Sequence, residues 1–433
     1  MGKYTKQDII RMVEDEDVEF IRLQFVDICG TLKNMAVTIS QLDKVLNNQC
    51  TFDGAAVIGF KDTCNGEFFL SPDLDTFAIF PWRPQQGKVA RLICDILNED
   101  GTPFEGDSRY ALKRVVKEAE EMGYSLDVGP ECEFFLFDVD QNGNPTIQSS
   151  EKGGYFDVGP LDLGENVRRE MVLFLEDMGF EIISSYHSNE VAQHEIDFKN
   201  GDALSTADNV MTFKMVVRTA AKRHGYHATF MPKPKYGMNG SGMHLTMKLY
   251  KDGKNIFTDS SKDNKVSEEA YSFIAGIMNH IEGMTLINNP IVNSYKRLVP
   301  GYNAPVSVTW SEKNRDSLIR VCSTGMEGTR VELRSPDAAS NPYLVIAVCL
   351  AAGLEGIKNQ MKLGEGMESG NEHVKALPTS LEAAIRAFEA DPFIQQVLGK
   401  HIAEKYVETK KEEWNEYCKH VSDWEVEQYL YRI

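Results

Sequence analysis

The residues Arg330-Val331-Glu332-Leu333-Arg334 carry the densest chemistry in the chain. Side chains on a strand alternate between faces. Arg330, Glu332 and Arg334 therefore share one face, and Val331 and Leu333 share the other. Such a strand buries its apolar side and aims cation, anion, cation at one place. That suits a site that holds a metal together with an anionic substrate. A solvated edge strand is the plainer alternative, and it loses ground because other segments repeat the design.

Gly129-Pro130-Glu131-Cys132-Glu133-Phe134 enters a strand with Glu131 and Glu133 on one face. Two carboxylates at that spacing repel unless a cation lies between them, and hard divalent cations take oxygen ligands. Glu195 and Asp197 share a side of a further strand, with Glu190 just before it. In Asn239-Gly240-Ser241-Gly242-Met243-His244 a glycine-rich turn leads into a strand on which His244, Thr246 and Lys248 face one way. Glycines there let backbone approach a small ligand. Arg297, Arg315, Arg320, Arg330 and Arg334 follow within a short span. Guanidinium groups bind carboxylates and phosphates in bidentate fashion. Metals and arginines together neutralise a polyanion, most economically a nucleotide. Phosphoryl transfer needs positioning and charge neutralisation more than covalent help.

The elements that must position these groups are mixed. The pattern predicts a helix over 4–17, strands over 18–29, 32–39 and 89–97, and a helix from Asp107 or Ser108 through Met122. Further strands are expected at 131–139, 195–199, 243–250, 306–310 and 329–334. Helices are expected at 164–178, 206–224, 268–287, 342–362 and 381–390, with two more between 392 and 433. No βαβ rhythm repeats, so the fold class is α+β with an antiparallel sheet. A boundary near residue 103 divides the chain into 1–103 and 104–433.

The 433 residues suffice for two or three domains. A formal charge of −19 argues against general nucleic-acid or anionic-membrane partners. No apolar run is long enough to span a bilayer. The 8 cysteines are scattered without a CxxC pair, which argues against a structural zinc site or a disulfide framework and favours a cytoplasmic location.

Six strings carry a resemblance that spans essentially the whole chain. They are Asp53-Gly54, residues 129–134, His227-Ala228-Thr229-Phe230-Met231-Pro232-Lys233-Pro234, residues 239–244, residues 293–302 and residues 330–337. Through them the chain resembles type I glutamine synthetase in its short bacterial form, which lacks the adenylylation loop. The resemblance implies a small N-terminal β-grasp domain and a large catalytic domain whose antiparallel sheet forms a funnel-shaped active site. It implies a dodecamer of two hexameric rings with sites between subunits, two or more Mg²⁺ or Mn²⁺ per site, and glutamate, ammonium and ATP as substrates. By motif, Glu131, His244 and Glu332 would hold one metal, and Glu133, Glu195 and a third carboxylate the other. Asn239, Gly240, Arg297 and Arg334, with Arg315, would hold glutamate. Arg315, Arg320, Arg330, Thr246 and Lys248 would lie at the nucleotide. Asp53 would reach a neighbour's site and attract ammonium.

The chain departs from the family pattern at several points. Asn303 stands where a loop glutamate usually helps to deprotonate ammonium. Ala55-Ala56 replaces paired serines, and Lys61-Asp62 falls where an arginine is usual. Ile183, Lys248 and Thr324 replace residues at the nucleotide end. An ungapped alignment puts Ser188 at the third carboxylate, with Glu190 displaced by two residues, so either residue could face the second metal. These changes keep two alternatives beside a glutamate–ammonia ligase: a weakly active or non-catalytic paralogue, and a γ-glutamyl ligase for another amine.

Overall fold

The computed structural model describes residues 2–60, 67–83, 86–323, 328–367 and 374–433. Lys61-Asp62 and Thr324 lie outside the described residues.

The N-terminal part is built around one mixed sheet. Its strands are β1 (Val18–Val26), β2 (Leu32–Thr38), β3 (Cys50–Asp53), β4 (Glu67–Ile79) and β5 (Lys88–Leu97), in the order β2-β1-β5-β4-β3. The β1–β5 pair is parallel and the others are antiparallel. Helix α1 (Lys6–Asp15) lies beside this sheet, and α2 (Leu42–Leu46) joins β2 to β3. A capping box between Thr5 and Asp8 starts α1, satisfying two otherwise orphaned N–H groups. Ile9, Ile21, Leu23, Leu70, Leu92 and Ile96 are buried in a core of this part's own. The longest strand here, β4, was not read from the sequence. Its Pro72 and alternating charges (Asp73, Asp75) mask the strand pattern.

The larger part contains a seven-stranded and a four-stranded sheet. The first comprises β6 (Tyr124–Cys132), β10 (Gly201–Asp202), β12 (Met243–Lys251), β13 (Lys254–Asn255), β14 (Trp310–Ser311), β15 (Ile319–Cys322) and β16 (Arg330–Leu333). Its pairs are antiparallel except β14–β15. The second comprises β7 (Phe134–Asp138), β8 (Ile182–His187), β9 (Gln193–Phe198) and β11 (Tyr226–Thr229). The expected single strand over 131–139 is therefore two, and the chain passes from one sheet to the other at Glu133. There Glu133 N–H donates to Gly242 O at 3.1 Å, the last step of the β6–β12 register, and Phe134 then pairs with His194 of β9.

Helices cover the far side. They are α3 (Ser108–Glu121), α4 (Glu165–Asp177), α5 (Ala203–Arg223), α6 (Glu268–Asn288), the short α7 (Ser294–Arg297), α8 (Pro342–Lys358), α9 (Leu381–Glu389), α10 (Pro392–Leu398), α11 (Lys400–Tyr417) and α12 (Asp423–Tyr429). Beyond 392 there are thus three helices, not two. Helix α8 is buried along nearly its whole length, starts on an Asn341 cap and carries Pro342 in its first turn. The expected strand at 306–310 shrinks to Trp310–Ser311. The two parts are fastened by Arg109, which pairs with Asp73 at 2.7 Å, Asp95 at 2.6 Å and Asp208 at 2.9 Å. Such a buried guanidinium needs all of its fork filled.

Candidate active site

Strand register assembles the centre. Glu131 of β6 lies opposite His244 of β12. Thr246 of β12 lies opposite Glu332 of β16, and Glu332 lies opposite Arg320 of β15. Opposed residues project from the same face of a sheet, so β6, β12, β16 and β15 lay these groups on one floor. The alternate residues face the other way. Met243, Leu245, Leu249, Val331, Leu333 and Ile319 are all fully buried in the core. That burial locks the register, because a one-residue slip would exchange core and site.

Ligand atoms of Glu131, His244 and Glu332 all lie within 4.8 Å of one another. His244 Nδ1 is 3.4 Å from Glu131 Oε2 and 3.6 Å from Glu332 Oε1. Burial, then the Arg334 charge, pushes the His244 pKa down to about 4, so the imidazole is neutral near pH 7. A neutral imidazole with two carboxylates is a fitting donor set for a divalent cation. Glu332 also accepts from Arg334 at 2.7 Å and from Arg320 at 3.3 Å. Arg330 stands on the same floor opposite Cys322, and its charge bears on Glu131.

A second acidic group flanks the first. Burial, followed by Glu133, Asp197 and Glu131, raises Glu195 to about 9. Asp197 is raised too, first by burial. Neighbouring carboxylates that resist ionising together are acids short of a cation. The Tyr186 hydroxyl hydrogen-bonds Glu195, and the Ser184 hydroxyl donates to Asp197 at 2.5 Å. Glu133 accepts from Gly242 N–H at 2.8 Å and from the Ser188 hydroxyl at 3.2 Å. Ser188 is thus the residue of its loop whose side chain meets Glu133. The Glu190 carboxylate instead accepts from Asn239 N–H at 2.8 Å.

The glycine turn at 239–242 presses on the centre. A Cβ at Gly240 would lie 2.1 Å from Pro232 O, and one at Gly242 would lie 2.8 Å from Arg297 Nη2 and 3.0 Å from His244 Nε2. Only glycine admits that approach. Arg297, buried, donates to Ser335 O at 2.7 Å and to Arg334 O at 3.0 Å. Lys248 is buried opposite Asp127.

Other expected residues stand apart from this centre. Arg315 is exposed on the turn after β14, without an ion-pair partner among the described residues. Asn303 is exposed and left-handed, with φ 53°. Asp53 is exposed on the N-terminal sheet, where it accepts from Ala55 N–H at 2.8 Å. Ile183 is exposed.

The sequence reading missed the contacts of Tyr186 and Ser188, which arise only from the pairing of β8 with β9. It also missed a buried network behind them. His187 Nε2 is 2.9 Å from Glu151, and His194 Nδ1 accepts from Arg168 at 2.9 Å. Arg168 in turn pairs with Asp162 at 2.7 Å. Because His194 Nδ1 accepts, its proton sits on Nε2, which lies 3.7 Å from Glu151 Oε1 and has no hydrogen-bond partner among the described residues. Ligand atoms of Glu151, His187 and His194 lie within 4.8 Å of one another.

Sequence comparison places this geometry in a family. The glutamine synthetase catalytic domain profile matches residues 105–429, and the glutamine synthetase beta-grasp domain profile matches residues 17–99. The chain belongs to the glutamine synthetase family. It is 54% identical over 440 residues to glutamine synthetase of Clostridium saccharobutylicum, covering 99% of both chains. It is 50% identical over 438 residues to that of Staphylococcus aureus strain Mu50, covering 99% of this chain and 98% of the relative. A solved structure of GmaS with ADP superposes with a TM-score of 0.89 at 31% identity, covering 98% of this chain and 99% of that one. Plasmodium falciparum glutamine synthetase shares the fold, with a TM-score of 0.88 at 24% identity over 99% of both chains. The family fold accounts for the N-terminal β-grasp sheet and for the curled sheets behind the acidic floor.

Proposed function

We infer that the chain is a glutamate–ammonia ligase that makes glutamine from glutamate, ammonium and ATP. One observation carries the reading: a chain 54% identical to a glutamine synthetase over nearly its whole length also gathers Glu131, His244, Glu332, Arg320 and Arg334 on one sheet face.

A carboxylate is a poor electrophile. An oxygen of the glutamate side-chain carboxylate attacks the γ-phosphorus of ATP, ADP leaves, and γ-glutamyl phosphate forms. Ammonia then attacks the acyl carbon, and phosphate leaves. Mg²⁺ or Mn²⁺ held by Glu131, His244 and Glu332, and by Glu133 and Glu195, would neutralise the phosphoryl group in transit. Arg320 and Arg330 face that group as fixed cations, and Arg334 holds Glu332 while doing so. The Asn239–Gly240 turn and Arg297 bound the amino-acid end. Ammonium must lose a proton before it attacks. Asp53 of a neighbouring subunit would attract it within a dodecamer of two hexameric rings, and Asn303 cannot accept the proton. Arg315, Thr246 and Lys248 line the nucleotide end in the same reading, and the setting is cytoplasmic.

Phosphate release from ATP with glutamate and Mg²⁺, with and without ammonium, tests this. Ammonium-dependent release with glutamine as product is expected. Absence of that dependence would overturn the reading. No helix among the described residues is long and apolar enough to cross a membrane.

A further inference from the structure

We propose that Glu190 is a positioning residue for the amino-acid substrate, acting through the turn at 239–242, while Ser188 is the loop residue that faces the second cation position. The proposal rests on the reading of that turn as the seat of glutamate.

Glu190 Oε1 accepts from Asn239 N–H at 2.8 Å. Gln193, the first residue of β9, completes a clamp with Glu190. Gln193 Oε1 accepts from Glu190 N–H at 3.3 Å, and Gln193 Nε2 donates to Gly240 O at 3.1 Å. Two adjacent residues of the turn, Asn239 through its N–H and Gly240 through its carbonyl, are therefore both held, one from the β8–β9 loop and one from the start of β9. A hydrogen bond to a charged acceptor is about twice as strong as one between neutral groups.

The clamp itself is anchored. Ser188 N–H donates to Gln193 O at 2.8 Å, and Gln193 N–H donates to Glu190 O at 3.0 Å. Ala192 takes a left-handed backbone, φ 67°, with its N–H bound to the Glu151 carboxylate. A non-glycine residue persists in that region only where its surroundings impose it. At the other end of the turn, Glu133 accepts from Gly242 N–H at 2.8 Å. One short turn is thus gripped by a carboxylate of the cation position at Gly242 and by Glu190 at Asn239. A carboxylate engaged by Asn239 N–H is turned to the substrate side of the loop, whereas the Ser188 hydroxyl reaches Glu133 at 3.2 Å.

The test uses the full chain in its native assembly, with Glu190→Ala and Glu190→Gln. Glutamate affinity is read by calorimetry and as KM, and Mn²⁺ binding by paramagnetic resonance. Loss of the charged acceptor should weaken glutamate about tenfold in Glu190→Ala. Glu190→Gln, which keeps an acceptor oxygen, should recover most of that loss. Mn²⁺ affinity should stay within about twofold in both. Mn²⁺ affinity that falls while glutamate affinity holds would make Glu190 a cation ligand and overturn the proposal. Unchanged glutamate affinity in both variants would overturn it as well. A wild-type chain that binds glutamate without turning over ATP would sink the ligase reading alone, and calorimetry would still decide Glu190. A wild-type chain that binds no glutamate would sink both.

Discussion

The floor of the site and its rim are built on different principles. Glu131, His244, Glu332 and Arg320 sit on paired strands, and each has partners inside this one chain. Asp53 sits at the exposed end of β3, and Asn303 and Arg315 sit in exposed loop segments apart from that cluster. The floor is preorganised by register and by the apolar core behind it, so its geometry exists before any substrate arrives. In the proposed ligase the rim gains its role from a substrate or a neighbouring subunit. Substitutions on the floor should therefore act through electrostatics and metal binding, and those at Asp53 and Asn303 through amine capture.

The largest effect is expected at Glu332, which serves two guanidiniums and shares a cation position with His244. Glu332→Gln removes the charge from a residue only 3% exposed. Phosphate release should fall by about 100- to 1,000-fold, with Mn²⁺ binding weakened in parallel. Activity kept within tenfold would mean that the floor is not where charge is neutralised. Gly242→Ala comes next. Its methyl would press on Arg297 and His244 without changing any charge. A loss of about 100-fold, from a shift of roughly 1 Å, is expected. A mild effect would show that the turn has slack.

The rim supplies the opposite sign. Asn303→Glu should raise turnover with ammonium by about tenfold, the scale of one added acid–base or charge contact. The left-handed backbone at Asn303 suits asparagine better than glutamate, so the gain has a small conformational opponent. Measured kcat and KM for ammonium, against a panel of amines, check this. No gain would remove the loop from amine activation and shrink the contrast between floor and rim.

How much of this was legible follows the same division. Alternation in residues 330–334 and 243–250 gave the faces correctly, because both strands bury one side fully. The break at Glu133 was not legible, since Phe134 and Leu136 continue the alternation across it; only the competition of two sheets for one chain sets it. Glu190 and Ser188 could not be told apart from sequence. Their loop turns on a left-handed alanine, a choice dictated by the Glu151 contact 41 residues away. The contact of Tyr186 with Glu195 likewise needs cross-strand pairing, which no local pattern encodes.

The smallest effect concerns the charge balance of the second acidic group beside the floor. Burial, together with Glu133, Asp197 and Glu131, lifts Glu195 from 4.5 to about 9. Between those values the metal-free folded chain holds a proton that the unfolded chain has released. The stability linked to that proton is complete below about pH 4.5 and is lost as pH climbs towards about 9, by at most about 1.4 kcal/mol per pH unit. A divalent cation replaces the proton as the balancing charge and is favoured where the proton is not. Thermal melts with chelator should therefore show declining stability from about pH 6 to about pH 8.5. The gain on adding Mg²⁺ should be greater at the alkaline end. A gain independent of pH would mean that the second acidic group takes no part in holding the cation, and that the first group of Glu131, His244 and Glu332 binds alone.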